Sequence, residues 1–213
     1  TIISTLREKL IELMPHRIGH LDPSAEAEIT EMINQLLGIS TTSTLDNQRL
    51  NHSLGWIGYE QHLHRFPGDS IGLHDELQAS GIAPHTGAWG YFAGSQSELT
   101  PQLIAYEKYY VAVQTLYLPT WQQNLSFLRD WYKYRKVLLV NVDNGHAVVA
   151  VIADSGPAEW TDKQFGGSPE VMKALDLTGK ASKGKVLLLF IADSDPAPVG
   201  PVTAPIGEEV QLS

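Results

Sequence analysis

The chain has 213 residues, of which 43% are apolar and 8% aromatic, and this is the composition of a folded globular protein rather than a disordered one. Its formal charge of −9 and the lack of a Lys/Arg cluster argue against nucleic acid as a partner, because such binding depends on neutralising phosphates. Cysteine is absent, so a disulfide framework, a thiolate zinc site and a cysteine nucleophile are excluded. No apolar run reaches the ~18 residues of a membrane span.

Two amphipathic helices are predicted at the start of the chain. Residues 2–14 carry isoleucine and leucine side chains on one helical face, with charged residues elsewhere. The second helix has Asp22 as its N-cap, Pro23 at the first helical position and Gly38 after the last turn. Residues 48–80 are predicted to be irregular or helical. The first part of the chain is therefore predicted to be a small helical region.

Short β-branched or leucine-rich runs bounded by turn residues predict strands in the second half. These runs are residues 109–113, 137–142, 147–153 and 186–191. Asn144-Gly145 lies between the middle two and predicts a hairpin with a type I′ turn, because Asn-Gly tolerates the positive φ that this turn requires. Ser168 predicts a helix N-terminus. The proline-rich segment from Ser194 is predicted to be extended or mobile.

Three segments of this second half carry recognisable motifs. VIADSGP followed by SPEVMKALDL resembles the Asp-x-Gly-Pro and Ser-initiated helix stretch of the rare lipoprotein A family. VAVQTLYLP at 111–119 resembles the Ile-Ala-Val-Asp-x-x-x-Ile-Pro strand and turn of the three-aspartate domain, which also occurs in membrane-bound lytic transglycosylase A. GAWGYFAGSQSELT at 87–100 resembles the opening strand of the same barrels and the loop after it.

The resemblance implies the fold class and the domain organisation. It predicts an α+β protein whose residues 86–192 form a six-stranded double-psi β-barrel, with residues 121–135 as an insertion. Residues 1–85 are predicted to form the helical N-terminal region, and residues 193–213 a proline-rich tail.

The resemblance also implies a secreted or cell-envelope protein, with its signal peptide removed, that acts on peptidoglycan. Lytic transglycosylases of this type cleave the MurNAc–GlcNAc bond and leave a 1,6-anhydro end. Asp154 falls where the family carries its first loop aspartate and is the predicted general acid/base. Gln114 and Gly166 stand where the family has further acids. Asp162 is the nearest remaining carboxylate and is the predicted second catalytic residue.

A single acid favours a lytic reaction over hydrolysis. Glycoside hydrolysis needs two carboxylates, whereas in the lytic reaction the sugar's own 6-hydroxyl is the nucleophile and one residue can serve as acid and then as base. Such an acid needs a pKa above the ordinary ~3.9, and desolvation at the end of an apolar strand raises it. On the residues alone, Asp-Ser-Gly-Pro is also typical of a turn whose aspartate binds backbone amides. The family resemblance favours the catalytic interpretation of Asp154.

Further side chains are predicted to contact the glycan. Trp160 lies six positions after Asp154 and is predicted to stack on a sugar face. The polar residues predicted to bind substrate are Gln114, Gln164, Ser155 and His146. The predicted partner is peptidoglycan or a related polysaccharide, with no cofactor.

Two alternatives remain open. The missing acids favour a non-catalytic glycan-binding or wall-loosening module of the expansin type. A zinc-dependent hydrolase is the other, because His62 and His64 lie near Asp69, His74 and His85. No further ligand stands at a recognisable spacing, so no metal site is predicted.

One more prediction concerns the missing second acid. Glu60 and Asp69 could supply it if the N-terminal region folds over the barrel mouth.

Overall fold

The computed structural model describes residues 1–15, 17–75, 77–179 and 182–203. Within these residues there are five α-helices and eight strands. The helices are α1 (Ile2–Leu13), α2 (Pro23–Leu37), α3 (Pro101–Lys108), α4 (Leu125–Tyr132) and α5 (Pro169–Ala174). The strands are β1 (Thr41–Thr42), β2 (Leu54–Tyr59), β3 (Tyr110–Val113), β4 (Lys136–Asn141), β5 (Ala147–Ser155), β6 (Phe165–Gly167), β7 (Lys183–Ile191) and β8 (Gly200–Pro201). Residues 204–213 of the predicted tail lie outside the described residues.

The N-terminal helices begin and end where the sequence predicts. The Asp22 side chain caps α2 by accepting a hydrogen bond from the Ser24 amide at 3.0 Å, and Pro23 follows it. Gly38 ends the helix in the left-handed conformation, with φ of 66°, which a glycine adopts without steric cost. Among the described residues, no helix is both long enough and apolar enough to cross a membrane.

Six strands close into a barrel in the order β7-β2-β6-β3-β5-β4, and β4 pairs back to β7. The pairs β2–β6 and β3–β5 are parallel, and the other four are antiparallel. The strands β1 and β8 add to β7 and β5 at the margins. The predicted α+β fold with a six-stranded barrel is confirmed, and the mixed pairing is compatible with a double-psi barrel.

The strand β2 differs from the sequence prediction, which made this stretch irregular or helical. The glycines of β2 weaken the sequence pattern that predicts a strand, but the close approach of neighbouring side chains requires them. A Cβ on Gly55 would lie 2.7 Å from Gln164 Cβ, and one on Gly58 would lie 2.6 Å from Lys163 Cδ. Strand β2 therefore places residues 54–59, upstream of the boundary predicted at residue 86, in the barrel wall.

Apolar side chains cover both faces of the barrel wall. One cluster draws on all six strands and fills the interior, where Trp131 and Tyr132 of α4 pack against Phe190. A second cluster joins α1 and α2 to the outer faces of β4, β5 and β7. Strands buried on both faces read as continuous apolar runs, and these three strands do so.

The β4–β5 hairpin forms as predicted, but with a different turn. Val140 pairs with Ala147, and of the residues between Asn141 and Ala147 only Gly145 has a positive φ, 80°. A type I′ turn needs two such residues, so the predicted turn type is wrong. Close packing against α1 constrains this turn, since a Cβ on Gly145 would lie 2.6 Å from the Ile3 carbonyl oxygen.

We expect Gly145→Ala to lower the melting temperature more than Gly38→Ala. Both residues have positive φ, but a Cβ at position 38 meets open space whereas one at position 145 meets the α1 backbone. The backbone strain alone costs about 1 kcal/mol, which corresponds to roughly 2–4 °C in a domain of this size. Gly145→Ala should cost roughly 6–10 °C. Equal shifts in thermal unfolding would contradict the close contact between the hairpin and α1.

Candidate functional site

Asp154 lies near the end of β5 and is half-buried. Its Oδ1 accepts hydrogen bonds from the amides of Ala88 and Ser155, each at 2.8 Å. Its Oδ2 accepts none from the described part of the chain. Burial raises the pKa of Asp154, and the two amide hydrogen bonds oppose that rise without cancelling it. The side chain thus has both the anchoring of a turn aspartate and the raised pKa that a general acid needs.

A row of laterally paired residues fixes which face Asp154 occupies. Ala112 of β3 pairs with Asp154 on one side and with Gly166 of β6 on the other. Laterally paired residues in a sheet direct their side chains to one face. Val111 and Val113 belong to the interior cluster, so the Ala112 row faces outwards.

Glu60 takes the place of a side chain at Gly166. A Cβ at position 166 would overlap the Glu60 carboxylate, and the Glu60 amide donates to the Gly167 carbonyl at 2.8 Å. Burial raises the pKa of Glu60, the Lys163 charge lowers it, and the Asp154 charge raises it. A carboxylate that directly follows β2 therefore lies over Gly166 of β6, where the resemblance to the three-aspartate domain predicts an acid. The sequence offered Glu60 only as a conditional second acid, because its approach depends on β2 joining the barrel.

Tyr110 lies beneath these acids on the same face of β3. Its hydroxyl donates to the Gln61 carbonyl oxygen. Burial raises the pKa of Tyr110 well above its ordinary value, and the nearby charges raise it further. Those charges are the carboxylates of Glu60, Asp154, Glu107 and Glu170. The outer face of β3 thus gathers four carboxylates.

The predicted insertion at residues 121–135 contains α4, and this helix positions the backbone that binds the Asp154 side chain. Arg129 of α4 donates from Nη2 to the Ala88 carbonyl oxygen at 2.8 Å, and its own carbonyl accepts from Trp89 Nε1 at 2.8 Å. Gly87 approaches β5 closely, since a Cβ there would lie 2.8 Å from the Ala153 carbonyl oxygen. Helix α4 therefore fixes the amide that binds Asp154.

Gln114 and Ser155, both predicted to bind substrate, hold the loop after β5. The Gln114 amide nitrogen donates to the carbonyl oxygens of Pro157 and Lys163, at 3.0 and 3.3 Å. The Ser155 hydroxyl lies 2.6 Å from that of Thr115. Gln114 is buried, so the structure gives it a bracing role.

Gln164 and Asp162 are also placed by local backbone structure. Gln164 accepts from the Trp56 amide through its side chain at 2.8 Å, which extends the pairing of β2 with β6. Asp162 is exposed, has a left-handed φ of 54° and accepts from Lys183 through its main-chain carbonyl. The structure brings Glu60, rather than Asp162, into electrostatic contact with Asp154.

Trp160 stands out into solvent in the loop after β5. Its exposure is 86%, and Tyr117, also exposed, bonds the same loop by accepting from the Glu159 amide at 3.4 Å. Two exposed aromatic rings on one loop system form a surface suited to sugar faces. We call Tyr117 and Trp160 the aromatic rim.

His146 lies far from these residues. It immediately precedes β5, and Asp154 is near the other end of that strand. A strand rises about 3.3 Å per residue, so the two residues are separated by roughly 26 Å. The structure therefore does not bring His146 to Asp154.

Of the histidines considered for zinc, His62 and His74 pack against each other, with ring centroids 4.7 Å apart, whereas His64 and His85 lie in other environments. His62 Nδ1 lies 2.9 Å from Glu107 Oε1, and His74 Nε2 lies 2.8 Å from Asp69 Oδ2. His64 instead bonds the Ala83 carbonyl oxygen, and His85 is exposed. The sequence did not identify Glu107, because it lies on α3 more than thirty residues beyond His74.

Comparisons with known proteins add no assignment. No protein-family model matches the chain, and a comparison with curated proteins gives no match. The predicted opening strand at residues 87–100 is wrong, because this segment contains turns and one short 3-10 helix. The resemblance to double-psi barrels therefore depends on the other two sequence motifs and on the closed mixed barrel. Function has to be argued from the geometry of the site.

We expect Asp154→Asn to be at least as stable as the wild type at pH 7. Asparagine keeps an Oδ1 acceptor for both amides and removes a buried charge. Because the folded-state pKa is raised, the wild type is stabilised by the protonated acid below pH ~4 and loses this as the pH rises. The variant should melt roughly 2–4 °C higher at pH 7, the effect of about 1 kcal/mol, with no gain at pH 3.5.

Asp130→Asn on α4 is the control, because Asp130 is exposed. Its melting temperature should follow that of the wild type at both pH values. A lower melting temperature for Asp154→Asn at pH 7 would mean that the ionised carboxylate stabilises its own turn.

Proposed function

We propose that this protein is a secreted or envelope enzyme of the rare lipoprotein A and three-aspartate barrel type that cleaves peptidoglycan glycan strands as a lytic transglycosylase. Asp154 is the general acid/base. The observation that carries the proposal is the half-buried Asp154 carboxylate, whose pKa burial raises while one of its oxygens stays free of hydrogen bonds from the described chain.

In this reaction Asp154 donates one proton and then accepts another. Protonated Asp154 gives its proton to the glycosidic oxygen as the bond from MurNAc C1 breaks, and the GlcNAc 4-hydroxyl leaves. The MurNAc 6-hydroxyl oxygen bonds to C1, and its proton passes to the Asp154 carboxylate. The products are a 1,6-anhydro end and a new GlcNAc end, no water is consumed, and Asp154 is again protonated.

Glu60 supports this reaction through its position. Its carboxylate lies over Gly166, in the same outward-facing row as Asp154. The transition state of glycosidic cleavage carries positive charge at C1, which a nearby carboxylate stabilises. Glu60 therefore supplies a carboxylate beside Gly166, the position where the resemblance predicts an acid.

A non-catalytic glycan-binding module is the second candidate. The observation that favours it is that Asp154 Oδ1 is already bound by two backbone amides, as in a turn aspartate without catalytic duty. The aromatic rim would serve binding equally well in both cases.

Digestion of purified sacculi separates the two candidates. The wild type should release muropeptides with 1,6-anhydro ends, detected by mass spectrometry, and Asp154→Asn should lose at least about 100-fold in rate, as expected for a general acid. Glu60→Gln should lose rate with Asp154 intact, and Asp162→Asn tests the other predicted acid. Asp130→Asn should match the wild type.

Each remaining outcome has a clear meaning. Intact sacculi that still pull down the wild type would support the binding module. Reducing ends that disappear with a chelator would support a zinc hydrolase. If sacculi are neither cleaved nor bound, the peptidoglycan proposal fails.

Trp160→Ala should weaken sacculus binding roughly 5–10-fold, because a stacked ring contributes about 1 kcal/mol beyond its buried area. The melting temperature should not change, since the side chain is 86% exposed. Ile11→Ala is the matched control, because Ile11 is an exposed apolar side chain on α1. A co-sedimentation assay measures the affinity, and equal binding by all three proteins would exclude Trp160 from the glycan surface.

A further inference from the structure

A second cluster of ionisable side chains, which the proposed reaction does not use, is buried beneath the segment after β2. Each member is less than 9% exposed. The members are His62, Arg65, Asp69, His74, Glu107 and Glu170. Charged residues are almost never fully buried unless they are paired or bind a metal, so each needs a partner.

Three of these side chains form a compact set of ligand atoms. One ligand atom from each of His62, His74 and Glu107 lies within 4.8 Å of the other two. Both Nδ1 atoms approach the same carboxylate: that of His62 lies 2.9 Å from Glu107 Oε1, and that of His74 lies 3.4 Å from Oε2. Tetrahedral zinc with bonds of about 2.1 Å requires ligand atoms about 3.4 Å apart. Small shifts bring this set to that spacing.

The Nε2 atom of each imidazole, on the side away from Glu107, already has a hydrogen-bond acceptor. His62 Nε2 lies 2.7 Å from the Leu77 carbonyl oxygen, which only accepts, so this nitrogen donates. His74 Nε2 lies 2.8 Å from Asp69, whose carboxylate also accepts the amides of Arg65 and Ser70. Protons on both Nε2 atoms leave the Nδ1 lone pairs directed at Glu107. Metal-bound histidines are held in this way by an outer acceptor.

Unpartnered polar atoms concentrate at the same place. Among the described residues, five buried side-chain nitrogen or oxygen atoms lack a hydrogen-bond partner. Three of them are His74 Nδ1 and the two carboxylate oxygens of Glu170. Glu170 Oε1 lies 3.9 Å from His62 Nε2. An unsatisfied buried group costs about 1–3 kcal/mol, and a bound ion is one way to remove that cost.

Charge balance also points to a cation. With neutral imidazoles, the three carboxylates of the cluster exceed the single Arg65 guanidinium by two negative charges. One divalent ion neutralises this excess, and so do two protons on the imidazoles. The two-proton state is the alternative, because hydrogen bonding and charge from Glu107 outweigh burial and raise the pKa of His62.

A route from solvent reaches the cluster. A cavity of about 760 Å³ is lined by His74, Leu77 and Glu170, with Lys108 and Tyr109 beside them. Of the cluster's side chains, Glu170 and His74 are the ones that line this cavity.

We propose that His62, His74 and Glu107 bind one divalent transition-metal ion, with Zn²⁺ as the best-suited ion, and that Asp69 positions His74 as a ligand. Two imidazoles and a carboxylate are a donor set that zinc favours. The site does not include Asp154, so this proposal can be tested independently of the proposed glycan reaction.

Metal analysis of the chelator-treated full chain tests this proposal. After dialysis against ZnCl₂, elemental analysis should find one zinc per chain, and titration calorimetry should give one site. His74→Ala should weaken zinc binding at least ~100-fold, and Asp69→Asn roughly 10-fold, because it removes only the outer acceptor. His85→Ala should match the wild type, since His85 is exposed.

A second measurement does not depend on a folded variant. Co²⁺ added to the chelator-treated wild type should give visible absorption bands of tetrahedral coordination, and equimolar Zn²⁺ should remove them. Zinc binding unchanged in His74→Ala would place the ion elsewhere. A lack of stoichiometric zinc would overturn the proposal. Ring nitrogens that all remain protonated in nitrogen-15 NMR with excess zinc would also overturn it and would establish the two-proton state.

Discussion

The pairing of β2 with both β6 and β7 is the constraint on which the rest of the structure depends. This strand closes the barrel, because it hydrogen-bonds to β6 in parallel and to β7 in antiparallel register. Gly55 and Gly58 allow it, since side chains there would collide with Gln164 and Lys163. Closure also leaves no open edge between β6 and β7, which protects the sheet from pairing with other chains. The chain leaving β2 then crosses the outer face of β3.

Both candidate sites result from that crossing. Glu60 follows β2 directly and reaches the row that contains Asp154, and His62 comes two residues later beside Glu107 of α3. Tyr110 lies near both sites and has its pKa raised by carboxylates from each. The protein thus concentrates acidic side chains on one barrel face.

The two sites differ in how their carboxylates are compensated. Asp154 is held by two backbone amides, but burial outweighs their hydrogen bonds and raises its pKa. Burial would also raise the pKa of Glu107, but the neighbouring His62 and His74 side chains and the charge of Arg65 lower it to about 2. A proton is therefore retained more readily at Asp154, as acid/base chemistry requires, whereas Glu107 stays ionised, as a metal ligand must.

The sequence by itself determined the local features. Caps, turn residues and apolar runs fixed α1, α2, the hairpin strands, β7 and the start of α5, because each depends on neighbours a few residues away. It also placed Asp154 at the end of an apolar strand and a six-stranded barrel in an α+β fold. Only the tertiary structure decided that β2 is a strand, that Glu60 covers Gly166 and that Glu107 joins His62 and His74. These features join segments that are tens of residues apart, and glycine, which carries no side-chain pattern, makes two of the closest approaches possible.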